Sequence, residues 1–135
     1  MSILSSTNTG KASIRCKIED WLKENGIKNT IIGYNLTISV KDADVNLVGY
    51  RDEELPKYIN FKEITGGSFF CSWSKLKTMR GFPKMVGQIF DISHSKIESL
   101  EHAPEIVDIN YVAYGLNLTK EEIQAKTRVT CNIYC

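Results

Sequence analysis

The sequence predicts an α+β chain: a short, repeat-built, curved β-sheet of solenoid type, with an N-terminal capping helix and a short C-terminal helix. Three observations carry that expectation. Residues Leu76 and Ile97, Pro83 and Pro104, and Gly66 and Gly87 all stand 21 residues apart, as do Phe69 and Phe90, and Ser74-Lys75 and Ser95-Lys96. A period of this size with apolar residues at fixed places signals stacked units, each burying its apolar side only against its neighbours. Before the repeats, Ile14, Ile18, Trp21 and Leu22 fall on one side of a helix. After them, Leu118-Thr119-Lys120-Glu121-Glu122-Ile123 reads as a helix start of the capping-box kind.

Taken in order, the opening residues 1–12 are small and polar and are expected to be disordered, with residues 13–135 forming one repeat-containing domain. The helix from about Ser13 ends at Asn25-Gly26, a left-handed stop. Its stripe must cover something, and the open first unit of a stack needs a cover. Ile31-Ile32, the alternating Leu36, Ile38 and Val40, and then Val45 and Leu47, separated by short turn clusters, predict consecutive strands of a meander. Leu55-Pro56 opens an irregular apolar link through Ile59, Phe61 and Ile64.

The 21-residue repeats span about 66–118. Each predicts a short strand, a turn and an extended return. Alternation places Phe69, Cys71, Phe90 and Ile92 inward, and Ser68, Phe70, Ser72, Ile89, Asp91 and Ser93 outward. A weaker third copy puts Tyr111, Ala113 and Leu118 in the places of Phe90, Ile92 and Ile97. Beyond the capping box, Val129, Cys131 and Ile133 alternate as a closing strand.

Composition narrows the function. With 17 basic and 16 acidic residues the net charge is +1, which supplies no broad field for nucleic acid or an anionic membrane. Nucleic acid is therefore not expected as a partner, nor is a membrane, since no apolar run reaches the roughly 20 residues needed to span a bilayer. The start MSILSSTNTGK lacks the basic-then-apolar order of a secretion signal, so the expected location is the cytosol. Cys16, Cys71, Cys131 and Cys135 lack paired metal-ligand spacing and are read as plain thiols. Asp42 and Asp44 read as turn residues. No cofactor or metal is expected.

The run GSFFCSWSKLKTMRGFPKMVG resembles the short leucine-rich-like repeats of many tailed-bacteriophage proteins, whose pattern is G-x-F-x-C-S-x-N-x-L-x-S-L-x-G-x-P-x-x-V-G. The likeness extends upstream through Ile18 to Gly26, Leu36 to Val40 and Val45-Asn46-Leu47, and ends near Leu118, covering about two-thirds of the chain. The departures are Asp52, where a first unit would carry leucine, and Trp73 and His94, where the pattern has asparagine. A bulky Trp73 at such a bend must pack sideways or project. The resemblance implies a phage-encoded protein at work in the host bacterial cytoplasm, in a family mostly of unassigned function and not known to share an active site.

Candidate chemistry is sparse. Cys71 and His94, with Asp91 nearby, suggest a nucleophile and base, but Cys71 occupies the inward place of Ile92 and no orienting third group is evident. Lys75, Lys77, Lys84, Lys96 and Arg80 suggest a basic ridge beside Trp73, offset by Glu98, Glu101 and Glu105. The outward set of Phe70, Trp73, Ile89, Asp91, His94, Val112 and Tyr114 is the candidate partner-binding face, because a contiguous apolar patch with little charge marks an interface. The reading is a non-enzymatic accessory protein that binds a host or phage protein and inhibits a host factor or defence system. The alternatives are a virion or assembly component and a small cysteine/histidine enzyme; for the face itself they are a homodimer and burial beneath the helical ends.

Overall fold

A computed structural model of the chain describes the backbone of residues 3–135 and the side chains from Gly10 onward. Helix α1 (Ile3–Glu24) is followed by β1 (Thr30–Ile32), β2 (Ile38–Lys41), β3 (Val45–Asn46), β4 (Phe61–Thr65), β5 (Phe69–Phe70), β6 (Met85–Val86), β7 (Ile89–Asp91), β8 (Ile106–Val107) and β9 (Asn110–Val112). Helix α2 (Lys120–Gln124), β10 (Arg128–Val129) and β11 (Asn132–Tyr134) complete the chain. Of residues 1–12, expected to be disordered, Met1 and Ser2 lie outside the described residues, and α1 includes Gly10 to Ala12.

The strands form two sheets, in the orders β1-β2-β4-β6-β8-β10 and β11-β9-β7-β5-β3. Every pairing is parallel except the β1–β2 hairpin. Even-numbered strands from β2 and odd-numbered strands from β3 alternate between the sheets, so the chain winds as a β-solenoid: each coil lays one strand in each sheet and returns by a longer arm. The expected repeat-built α+β solenoid is what forms. It extends one coil before and one coil after the predicted 66–118 array, because β2/β3 and β10/β11 occupy equivalent rungs.

The register explains the period. Val45, Phe69, Phe90, Tyr111 and Ile133 pair rung to rung and point inward as one buried column. Phe69 and Phe90 stack at 5.9 Å, and Phe90 meets Tyr111 edge-on at 4.9 Å. Val40, Ile64, Val86 and Val107 form the facing column, with Val129 half-buried at its end. Cys71, Ile92 and Ala113 are buried as expected, beside Leu47. A repeat that buries the same atoms every turn keeps its period, because a one-residue slip would turn each apolar side chain outward.

Close stacking of the corners demands glycine. A Cβ on Gly67 would stand 2.0 Å from the Ala43 carbonyl oxygen of the preceding coil, and one on Gly87 would stand 2.6 Å from the backbone nitrogen of Gly66.

Four expectations are corrected. Phe61 to Thr65, read as part of an irregular link, form strand β4 inside the six-stranded sheet. β2 and β3 are not adjacent strands of a meander: the chain turns a corner between them and enters the other sheet. The closing strand likewise bends at Thr130-Cys131, leaving Cys131 exposed and dividing β10 from β11. Ser68 and Ser93, expected outward, are buried. Their hydroxyls accept from the backbone N–H groups of Ile89 and Tyr114 on the next coil, both at 3.0 Å, a role that small polar side chains fill without disturbing the stack.

The ends match their signals. Ile18, Trp21 and Leu22 are buried, with Trp21 packed edge-on against Tyr50 and Phe61 and its indole N–H donating to the Tyr50 hydroxyl. Ile14, 38% exposed, lies at the margin of that stripe. Gly26 (φ 67°) donates to Lys23 and Ile27 to Leu22, the paired bonds of a Schellman stop. At α2 the Glu122 amide donates to the Thr119 hydroxyl at 3.1 Å, and that hydroxyl faces the Glu122 carboxylate at 3.2 Å. Ile123 is fully buried there.

Candidate interaction face

The outer face of the five-stranded sheet collects the predicted residues. Phe70, Asp91 and Val112 lie directly opposite one another on β5, β7 and β9, with Asn46 before them and Tyr134 after. Ile89 occupies a neighbouring line with Asn110 and Asn132. Phe70, Ile89, Asp91 and Val112 are half-buried; Tyr114 is exposed and lies 6.4 Å from the Tyr134 ring. Asp91 is the one charged side chain of the β5–β7–β9 part of the face, and its Oδ1 accepts from the Ser93 amide at 2.9 Å.

Beyond the strands the chain bends through the left-handed region at Gly49, Trp73, His94 and Gly115, one bend per coil. Trp73 (φ 57°) and His94 (φ 55°) bear the strain that side-chain-bearing residues carry there, about 1 kcal/mol each. Their amides are held by the next coil, Trp73 donating to Ser93 at 2.9 Å and His94 to Tyr114 at 2.8 Å. The side chains then stack face to face at 4.2 Å and 18°. Gly115 ends the column: a Cβ there would meet His94 Nδ1 at 2.6 Å, so glycine makes room for the imidazole. Trp73 therefore does both things expected of it, leaning on His94 while projecting with 67% of its surface exposed.

All seven predicted residues thus share one side of the solenoid, where the strands meet the bends. Sequence reasoning missed Tyr134 and the exposed Val48. Tyr134 stands 22 residues after Val112, one more than the period, and a repeat search allowing a single insertion finds it.

The other candidates disperse. Cys71 points into the core, where burial, reinforced by the charge of Asp91, pushes its thiol well up and keeps it protonated. His94 is on the outer surface, so the nucleophile–base pair considered from sequence is not brought together. Asp44 accepts from the Ser68 amide at 2.8 Å, and a side chain at Gly66 would strike Asp42, so both aspartates serve the corner. The five basic residues form no single ridge: Lys77 pairs with Glu53 at 3.5 Å, Lys75 and Lys96 stand on the return arms, and Arg80 and Lys84 line a groove elsewhere. Among the described residues no helix is long and apolar enough to cross a membrane.

Compared with family models, with curated proteins and with solved structures, the chain finds no match.

Proposed function

We propose that this chain is a non-enzymatic, phage-encoded accessory protein that binds a host or phage protein through the outer face of its five-stranded sheet, in the host cytoplasm, and so inhibits a host factor or defence system. The phage setting rests on the resemblance of the repeats. The binding role is carried by one observation: Phe70 and Val112, with Asp91 between them, and Tyr114 and Tyr134, flanked by the Trp73–His94 stack, form an apolar and aromatic surface with a single charge across successive coils. Aromatic side chains give large contact area at small entropic cost and dominate interface energetics.

The test is affinity capture from phage-infected cells with the tagged chain, alongside Trp73→Glu/Tyr114→Glu and a control, Tyr34→Glu, which is exposed on the β1–β2 turn. One stoichiometric host or phage protein, retained by the control and lost by the double variant, is the expected result. Recovery of particle components would favour a virion or assembly role. Retention of the partner by a folded double variant would place the interface elsewhere.

A further inference from the structure

A groove of about 470 Å³ lies apart from the aromatic face, where the return arms rejoin the six-stranded sheet. Lys62, Arg80, Lys84 and His102 line it together with Asn60 and Phe82, and no carboxylate is among its walls. In a chain whose basic and acidic residues nearly balance, four basic side chains without an acidic one is a local departure.

The solenoid itself creates the cluster. Lys84 donates its backbone N–H to the Lys62 carbonyl at 2.9 Å, so the two lysines occupy adjacent rungs, about 4.8 Å apart along the stack. Like charges on neighbouring rungs repel; Glu105 follows on the next rung, its amide donating to the Lys84 carbonyl at 2.7 Å, but it is not among the groove's walls. Among the described residues the one ion pair is Lys77 with Glu53, so Lys62, Arg80 and Lys84 have no carboxylate within salt-bridge distance. Arg80 is fixed at the wall: its guanidinium donates to the Leu55 carbonyl, and its amide donates to the Thr78 hydroxyl at 3.1 Å. His102 takes up the left-handed bend (φ 66°) one coil after Gly81 (φ 84°), which brings an imidazole to the rim where the preceding coil has none.

We infer that this groove is a binding site for a compact oxyanion bearing at least two negative charges, a diphosphate group, held between the Lys62–Lys84 pair and the Arg80 guanidinium. Three cationic side chains match the charge of such a group, and a guanidinium donates charge-assisted hydrogen bonds to phosphate oxygens; in Arg80 the buried Nε and the nitrogen bonded to Leu55 leave the end of the guanidinium for that contact. The site is independent of the aromatic face and of what that face binds.

The experiment is calorimetric titration of the full chain with inorganic pyrophosphate at low and moderate salt, with ADP as competitor. Saturable one-to-one binding that weakens with salt is expected, and Lys62→Gln/Lys84→Gln should weaken it by about tenfold or more. Lys75→Gln/Lys96→Gln removes the same charge from exposed sites on the return arms and should leave affinity within about twofold. ADP competing for the site would mean that the natural ligand carries its diphosphate on an organic group; failure to compete would narrow the site to inorganic diphosphate. Absence of saturable binding below about 10 mM, or equal losses in the two double variants, would overturn the assignment.

Discussion

Replacing Gly67 with alanine tests the stacking of the coils most directly, because the new methyl has nowhere to go. Its Cβ would lie 2.0 Å from the Ala43 carbonyl oxygen and 2.6 Å from the carbonyl carbon, both backbone atoms of the preceding coil. To reach ordinary contact the corner must open by roughly 1.4 Å. That opening pulls on the bonds that clamp it, Asp42 to Thr65 at 2.7 Å, Val45 to Ser68 at 2.8 Å and the Ser68 amide to Asp44 at 2.8 Å. Overpacking strain of about 1–3 kcal/mol and about 1 kcal/mol for each ladder bond lost give a destabilisation of about 3–4 kcal/mol. At this chain length that lowers the melting temperature by about 10 °C. Gly26→Ala is the comparison: its φ is 67° but nothing lies within 4 Å of the added methyl, so it carries only the conformational cost, about 1 kcal/mol. Urea unfolding monitored by circular dichroism measures both. Equal losses in the two variants would mean that the corner of Gly67 does not rest on Ala43, and the coil-on-coil register would be wrong.

Two further measurements bear on the core. Tyr111 replaces the phenylalanine of the two preceding coils, and its buried hydroxyl has no partner among the described residues, so Tyr111→Phe should raise stability by about 1 kcal/mol in urea unfolding; a loss of that size would show that the hydroxyl is bonded. Cys16, Cys131 and Cys135 are exposed whereas Cys71 is buried with its thiol held neutral, so a thiol-selective reagent should titrate three groups in the native protein and the fourth only on unfolding. Prompt reaction of all four would remove Cys71 from the interior.

Periodicity revealed what the solenoid repeats without interruption and concealed what it repeats with an insertion. From Phe69 to Phe90 to Tyr111 the spacing is constant, and alternation alone turned the right side chains inward. Val45 stands 24 residues before Phe69, and Ile133 stands 22 after Tyr111, because the first return arm is longer and the last one carries α2. Those coils share the geometry of their neighbours but not their spacing, so they looked like a hairpin strand and a terminal strand. The serines failed for another reason. An alternation rule sorts residues by polarity, whereas Ser68 and Ser93 are sorted by hydrogen bonding: each corner exposes an amide on the next coil that a small buried hydroxyl satisfies.

The candidate sites divide along the same line. The aromatic face was legible because its members recur on strands of known parity. The missing asparagines at Trp73 and His94 marked the bends, yet only the left-handed backbone, which directs both side chains the same way, turns two substitutions into one stack. The basic groove was not read, although Lys62 and Lys84 stand 22 residues apart and Gly81 and His102 stand 21 apart. Counting charge over the whole chain averages such clusters away. A solenoid concentrates whatever recurs at its own period, so in this architecture charge has to be summed over neighbouring rungs, and the groove that Lys62 and Lys84 share with Arg80 is locally basic although Glu105 holds the next rung of the same column.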